Sequence, residues 1–187
     1  MQPALSDRLA FIRQAPELVE RVVRSAAREA IEAKRLYDRA LDVREIANLA
    51  LGELERTLAA ANVRLDAVER HELAGSILRA ATAFASSRLA RRLVRVPVAR
   101  FRAAPAGADA ALADRDGNVH IIRIEAFAGD AQRVACAREI EASLVAAGSA
   151  ALRPPAVHFL SLRDGKLRSF AAPRLAGRRG SASHRAA

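Results

Sequence analysis

The apolar pattern of this chain changes period once, near Val94, and that change limits the fold more than any other feature. Up to Leu93, apolar residues recur at helical spacing; beyond it they alternate or run in short blocks broken by Gly, Pro and Asp, as strands do. The pattern predicts an α/β (α+β) protein with an all-helical N-terminal region over residues 1–75 and a mixed core over 76–172. A basic tail over 173–187 is expected to be disordered, with the rest forming one compact unit.

Local signals place the elements. Ser6-Asp7 suits the start of a short helix, and Pro16 the first position of a second, which then runs to Leu41 without Gly or Pro. Asp42 with Glu45, and Asp66 with Glu69, have the spacing of capping boxes. Between them Ile46, Leu49, Ala50, Leu54 and Leu58 keep helical spacing, and Asn62 suits a helix stop. Helix resumes from Ala67 to about Leu93, with a break at Ser86-Ser87. VRVPVARFRA, from Val94, alternates as a strand, with Pro97 favouring an edge. ADAALAD and NVHIIRIEAF flank a hairpin turn at Arg115-Asp116-Gly117. Asp130 caps a helix to about Val145, ended by Gly148. Pro154-Pro155 introduce VHFLSL, and Asp164-Gly165 turn the chain into KLRSF. The order from Ala81 is helix, three strands, helix, strand, and the crossover helix fits a mixed sheet.

Charge narrows the function classes. Lys and Arg number 31 against 21 acids, a net charge of +10, with Lys34 and Lys166 the only lysines. GC-rich codons account for Arg over Lys and for abundant Ala, but not for the excess of bases over acids. That excess is local: from Leu73 to Ala108 there is no acid, while Arg79, Arg88, Arg91, Arg92, Arg95, Arg100 and Arg102 fall inside the stretch. Such a surface attracts polyanions, above all nucleic acid. Arg88, Arg91, Arg92 and Arg95 share one helical stripe, suited to a phosphate track or, more plainly, to a solvated face. Aromatics at 4% with no Trp argue against base-stacking recognition. The single Cys136 excludes a disulfide framework and is expected to be a small buried residue. No apolar run approaches the ~20 residues of a membrane span, and the start lacks an export signal, so the expected location is cytoplasmic.

The element order αβββαβ, with the residues in it, resembles the PD-(D/E)XK nuclease superfamily, in particular RecB/AddA-type nuclease domains. LDVREIANLALGELE (41–55) is similar to that family's histidine-bearing helix, and SSRLARRL (86–93) to its Ser-x-Leu-x-Arg-Arg-Leu helix start. GADAAL (107–112) resembles the strand with a metal-binding aspartate, here Asp109. HIIRIEAF (120–127) falls where the family has Asp/Glu-x-Lys. Gln132 and Cys136 match a Gln and a Tyr of the next helix, and VHFLSLRDGK (157–166) the terminal strand and turn. The resemblance implies a restriction-endonuclease-like core, DNA as ligand, Mg²⁺ as cofactor, and a helicase or repair protein as partner.

The departures fall on the catalytic positions. Asn48 stands in the histidine's place, no acid stands on the first strand, and Arg123-Ile124-Glu125 occupies Asp/Glu-x-Lys. Mg²⁺ needs hard oxygen ligands, and an arginine neither coordinates a metal nor gives up its proton. A three-residue hairpin loop would put Asp109 opposite Arg123 with Glu125 diagonal on the same face, Arg123 pairing with both carboxylates. A two-residue loop would put Asp109 on the other side. Asp109, Arg123 and Glu125 are therefore the degenerate catalytic set, Asp109 and Glu125 the metal ligands of any surviving activity. Read plainly, they are a cross-strand charge cluster worth roughly 0.2–1 kcal/mol per pair. Arg88, Arg91, Arg92, Arg95 and Gln132 are the candidate DNA contacts, although Gln132 more often caps a helix. His120 and His158 have no partner at ligand spacing and read as polar-face or core residues. The main expectation is a DNA-binding nuclease fold without standard catalysis. The alternatives are a divergent Mg²⁺-dependent DNase, and a helical protein-interaction module using residues 16–61.

Overall fold

The described residues form eleven elements, which follow the capping and turn signals closely at the N-terminal side and less so after Leu93. The structure, a computed structural model, describes residues 15–116, 118–125, 129–146, 156–163 and 165–171. The expected helix at Ser6-Asp7, Gly117 of the hairpin turn, Ala126-Phe127, Gly148, Pro154-Pro155, Asp164 and the tail from 173 lie outside the described residues.

Helix α1 (Ala15–Tyr37) buries a continuous stripe of Leu18, Val22, Val23, Ala26, Ala27, Ala30 and Ile31. Pro16 lies in its first turn, where a missing N–H leaves no bond unmade. Helix α2 (Val43–Ala60) starts at a complete capping box: Glu45 N–H donates to Asp42 at 2.8 Å, and Asp42 N–H donates to Glu45 at 2.9 Å. Asn62, at φ 52°, ends it in the left-handed conformation that asparagine tolerates. Helix α3 (Ala67–Ala85) opens on the second box, Asp66 and Glu69. The break at Ser86-Ser87 is real: the Ser87 hydroxyl accepts from Ala90 N–H at 3.0 Å and starts α4 (Arg88–Arg95).

The five-stranded sheet has the order β1 (Phe101–Arg102), β2 (Ala110–Ala113), β3 (Val119–Glu125), β4 (Ala156–Ser161), β5 (Leu167–Ala171). Only β3 and β4 run parallel, joined across α5 (Asp130–Ala146), so the sheet is mixed. Side chains alternate across it. Ile122, Ile124, Leu160 and Leu162 join the core formed with α1 to α4. Ala111, Ile121, Val157 and Phe159 pack against Ala137 and Ile140 of α5. A fully buried side chain of this kind contributes about 1.5–3 kcal/mol, so the helical layer, with the larger cluster, anchors most of the sheet.

The strand expected from Val94 is corrected. Val94 and Arg95 finish α4, Val98–Arg100 form a 3₁₀ turn, and only Phe101 and Arg102 pair with β2. Leu89 and Leu93, both buried, hold the helix for one more turn, and Pro97 has no N–H for a ladder. Val94 and Val98 alternate in sequence yet are both exposed.

Candidate nucleic-acid interface and buried carboxylates

The hairpin register is set by Ala110 opposite Ile122 and Ala113 opposite Val119. Asp114 N–H donates to the Asn118 carbonyl at 2.9 Å, leaving residues 115–117 as a three-residue loop. One step before β2 the chain leaves that register: Asp109 N–H donates to the carbonyl of Ile122, the partner of Ala110, at 2.8 Å, so the expected placement of Asp109 directly opposite Arg123 is corrected. A tight turn precedes it: Ala108 N–H donates to the Pro105 carbonyl at 3.1 Å, with Gly107 at φ +83°. That is the third position of a type II turn, where glycine is favoured.

Asp109 is buried, and its carboxylate is saturated. Arg24 Nε donates to both oxygens, at 2.9 and 3.0 Å, and Arg28 Nε donates to Oδ1. Ile124 N–H donates to Oδ2 at 2.7 Å, so the carboxylate replaces a main-chain acceptor just before the start of β2. Arg24 and Arg28 lie one turn apart on α1, which makes Asp109 a latch between the helical layer and the sheet. Arg24 Nη2 is buried with no hydrogen-bond partner among the described residues.

Glu125, also buried, pairs with Arg133 of α5, whose Nη1 also donates to Asp130 at 2.9 Å. Burial pushes the Glu125 carboxyl up, and Glu20 of α1 adds to this; Arg133 and, more weakly, Arg123 pull it down. The expected pairing of Arg123 with both carboxylates is corrected: its guanidinium donates to the Gly107 carbonyl. Each carboxylate instead takes an arginine from a different helix, because helices covering both faces of the sheet reach it first. Among the described residues no group of three or more His, Cys, Asp or Glu is placed to hold a metal ion. A Mg²⁺ at Asp109 would have to displace two guanidinium groups and a backbone N–H, so this donor set does not fit the cofactor that the resemblance implies.

The arginines of α4 are in the opposite state. Leu89 and Leu93 point into the core, leaving Arg88, Arg91, Arg92 and Arg95 exposed. Arg88, Arg91 and Arg92 line one wall of a groove of about 570 Å³; Lys166 and Arg168 of the β4–β5 hairpin line the other. None of the described residues lining it is acidic. Arg95 lies outside this lining. Gly165 brings the hairpin in: at φ +66°, the position where its Cβ would stand is 2.9 Å from the Ala83 carbonyl oxygen at the end of α3.

Beside the groove a polar chain crosses the sheet. Asp114 Oδ2 faces His120 Nε2 at 3.3 Å, His120 Nδ1 faces His158 Nε2 at 2.9 Å, and His158 Nδ1 faces Ser169 Oγ at 2.8 Å. The two imidazoles, separated by 38 residues in sequence, stack. Each histidine therefore has the partner that spacing in sequence did not reveal. Gln132 is exposed and accepts from Gly129 N–H at 3.0 Å, half a capping box for α5. Cys136 is half-buried against the α5 cluster, and burial pushes its thiol up.

Arg24, Arg28, Arg133 and Ser169 escaped the sequence reading. The available signal was Arg24 and Arg28 at helical spacing beside the apolar stripe of α1; nothing local marked Arg133 or Ser169. No helix among the described residues is long and apolar enough to cross a membrane. No protein-family model, curated protein or solved structure matches this chain.

Proposed function

We propose that this chain is a nuclease-fold domain that binds DNA without cutting it, in a repair or helicase-associated setting. The observation that carries the reading is the two-walled groove of Arg88, Arg91, Arg92, Lys166 and Arg168, about 570 Å³ in volume. Basic residues on both sides of an open groove suit a phosphate backbone threading between them. Two further observations support it. The order α4, β1, β2, β3, α5, β4 is αβββαβ with β3 and β4 parallel, compatible with the PD-(D/E)XK core. At the positions matching that family's metal ligands, Asp109 and Glu125 are bound to arginines, which counts against Mg²⁺-dependent cleavage.

The test is labelled linear duplex DNA at rising salt, with and without Mg²⁺. Retention that falls with a log–log slope of about −0.9 per neutralised phosphate, and no cleavage, is the expected result. Absence of retention at low salt removes the reading. Mg²⁺-dependent cleavage lost in Asp109→Ala, with the variant still folded, replaces it with a divergent DNase.

A further inference from the structure

The donors and acceptors of the chain from Asp114 to Ser169 can be assigned one after another. Asp114 accepts from Asp116 N–H at 2.9 Å, and from Asn118 N–H and Nδ2 at 2.8 Å. Those bonds, the Asn118 side chain first, hold its carboxyl down at about 2 against some desolvation, so at ordinary pH it only accepts. His120 Nε2, facing it, therefore carries a hydrogen, and in the neutral ring Nδ1 is bare. His158 Nε2 must then donate to that Nδ1, which leaves His158 Nδ1 bare in turn. The hydroxyl of Ser169 consequently points its hydrogen at His158. Every hydrogen in the chain runs towards Asp114, and exposed Ser169 turns only lone pairs outward. Lone pairs repel phosphate oxygens.

Proton uptake at His158 reverses the last link. A charged ring carries hydrogen on both nitrogens, so Nδ1 becomes the donor and Ser169 Oγ the acceptor, and the hydroxyl hydrogen swings outward. We propose that Ser169 and His158 form a proton-switched phosphate contact at the edge of the basic groove, repelling a nucleic-acid phosphate when His158 is neutral and donating to it when His158 is charged. The neighbouring residue Arg168 lines the groove, as does Arg92, whose charge reaches His158. The proposal rests on the groove being a nucleic-acid site and adds regulation to it.

The sign follows from what faces His158: His120 of β3 with Asp114 behind it, Ser169 of β5, and Arg92 of α4. Burial, then His120 and Arg92, push His158 below its usual 6.5. A bound polyanion offsets Arg92 and gains the Ser169 hydrogen, so the complex holds His158's proton more tightly than the free protein. Affinity for DNA therefore rises as pH falls through that window.

The experiment is binding of fluorescent duplex DNA at constant ionic strength, at about pH 7.5 and about pH 5.5, around the ordinary titration range of histidine. Wild type should bind more tightly at the lower pH, by about tenfold for each unit by which binding raises the His158 pKa. His158→Gln should bind equally at both, and exposed Ser169→Ala should lose affinity only at the lower pH, which carries the test if the histidine variant does not fold. Wild-type binding with a flat pH profile, or an unchanged pH dependence in the folded variants, overturns the switch and leaves the groove reading intact. Failure to bind at every pH and at low salt takes down both.

Discussion

Arginine does opposite things at the two ends of this molecule. Around Asp109 and Glu125 the guanidinium groups of Arg24, Arg28 and Arg133 are drawn onto buried carboxylates and join helices to sheet. Along α4, Arg88, Arg91 and Arg92 stay exposed, opposite Lys166 and Arg168, with no acid among the described residues that line the groove. Residue type is the same; the acids within reach differ. A carboxylate taken out of water must be paired, so Asp109 and Glu125 draw arginines into internal salt bridges, whereas the arginines of α4 meet no buried acid among the described residues and stay exposed. Asp109 and Glu125 are tied up in these bridges, and the basic groove lies on another part of the fold.

The sharpest way to break this comparison is at Asp109. Asp109→Ala leaves Arg24 and Arg28 facing each other and orphans Ile124 N–H. Stability should drop by about 3 kcal/mol, the low end for breaking a buried pair because Arg28 keeps access to water. Urea unfolding measures the loss, and DNA affinity of the folded fraction should be unchanged. A drop below about 1 kcal/mol would mean that the latch is cosmetic.

Gly165→Ala joins the two regions, since the new Cβ would stand 2.9 Å from the Ala83 carbonyl oxygen at a positive φ. It should cost about 2 kcal/mol and also weaken DNA binding, because the hairpin wall must move away from α4. Unchanged unfolding with unchanged binding would show that the wall adapts freely. Arg91→Gln with Arg92→Gln is the counterpart of the Asp109 change. Stability should stay within about 0.5 kcal/mol, while the salt slope of DNA binding falls by about one for each phosphate no longer neutralised.

The smallest effect belongs to Asp114. Its folded pKa, about 2, lies below the ordinary aspartate value of 3.8, so its contribution to stability is present above 3.8 and is lost as pH falls towards 2. Asp114→Asn should flatten that part of the acid-unfolding curve, followed by circular dichroism, because it removes already at neutral pH the small contribution that the wild type loses only on acidification. An acid limb of unchanged slope would place the titrating group elsewhere.

What the sequence determined by itself was local. Capping boxes at Asp42 and Asp66, the stop at Asn62 and the break at Ser87 depend on atoms a few residues apart, and the spacing of residue types was enough to read them, whereas the hairpin register stayed open between two loop lengths until the strands were paired. Even the overextended strand at Val94 was a local matter, in which anchoring by Leu89 and Leu93 outweighed alternation. The tertiary structure decided which charges meet. Arg24 reaches Asp109 across 85 residues and His120 reaches His158 across 38, and no periodicity encodes such distances. An ion pair is set by whichever opposite charge the packing of helix on sheet brings close. The sequence therefore specified that this protein carries arginines in excess and where its helices begin, and only the fold separated the arginines that lock it together from those left exposed on α4.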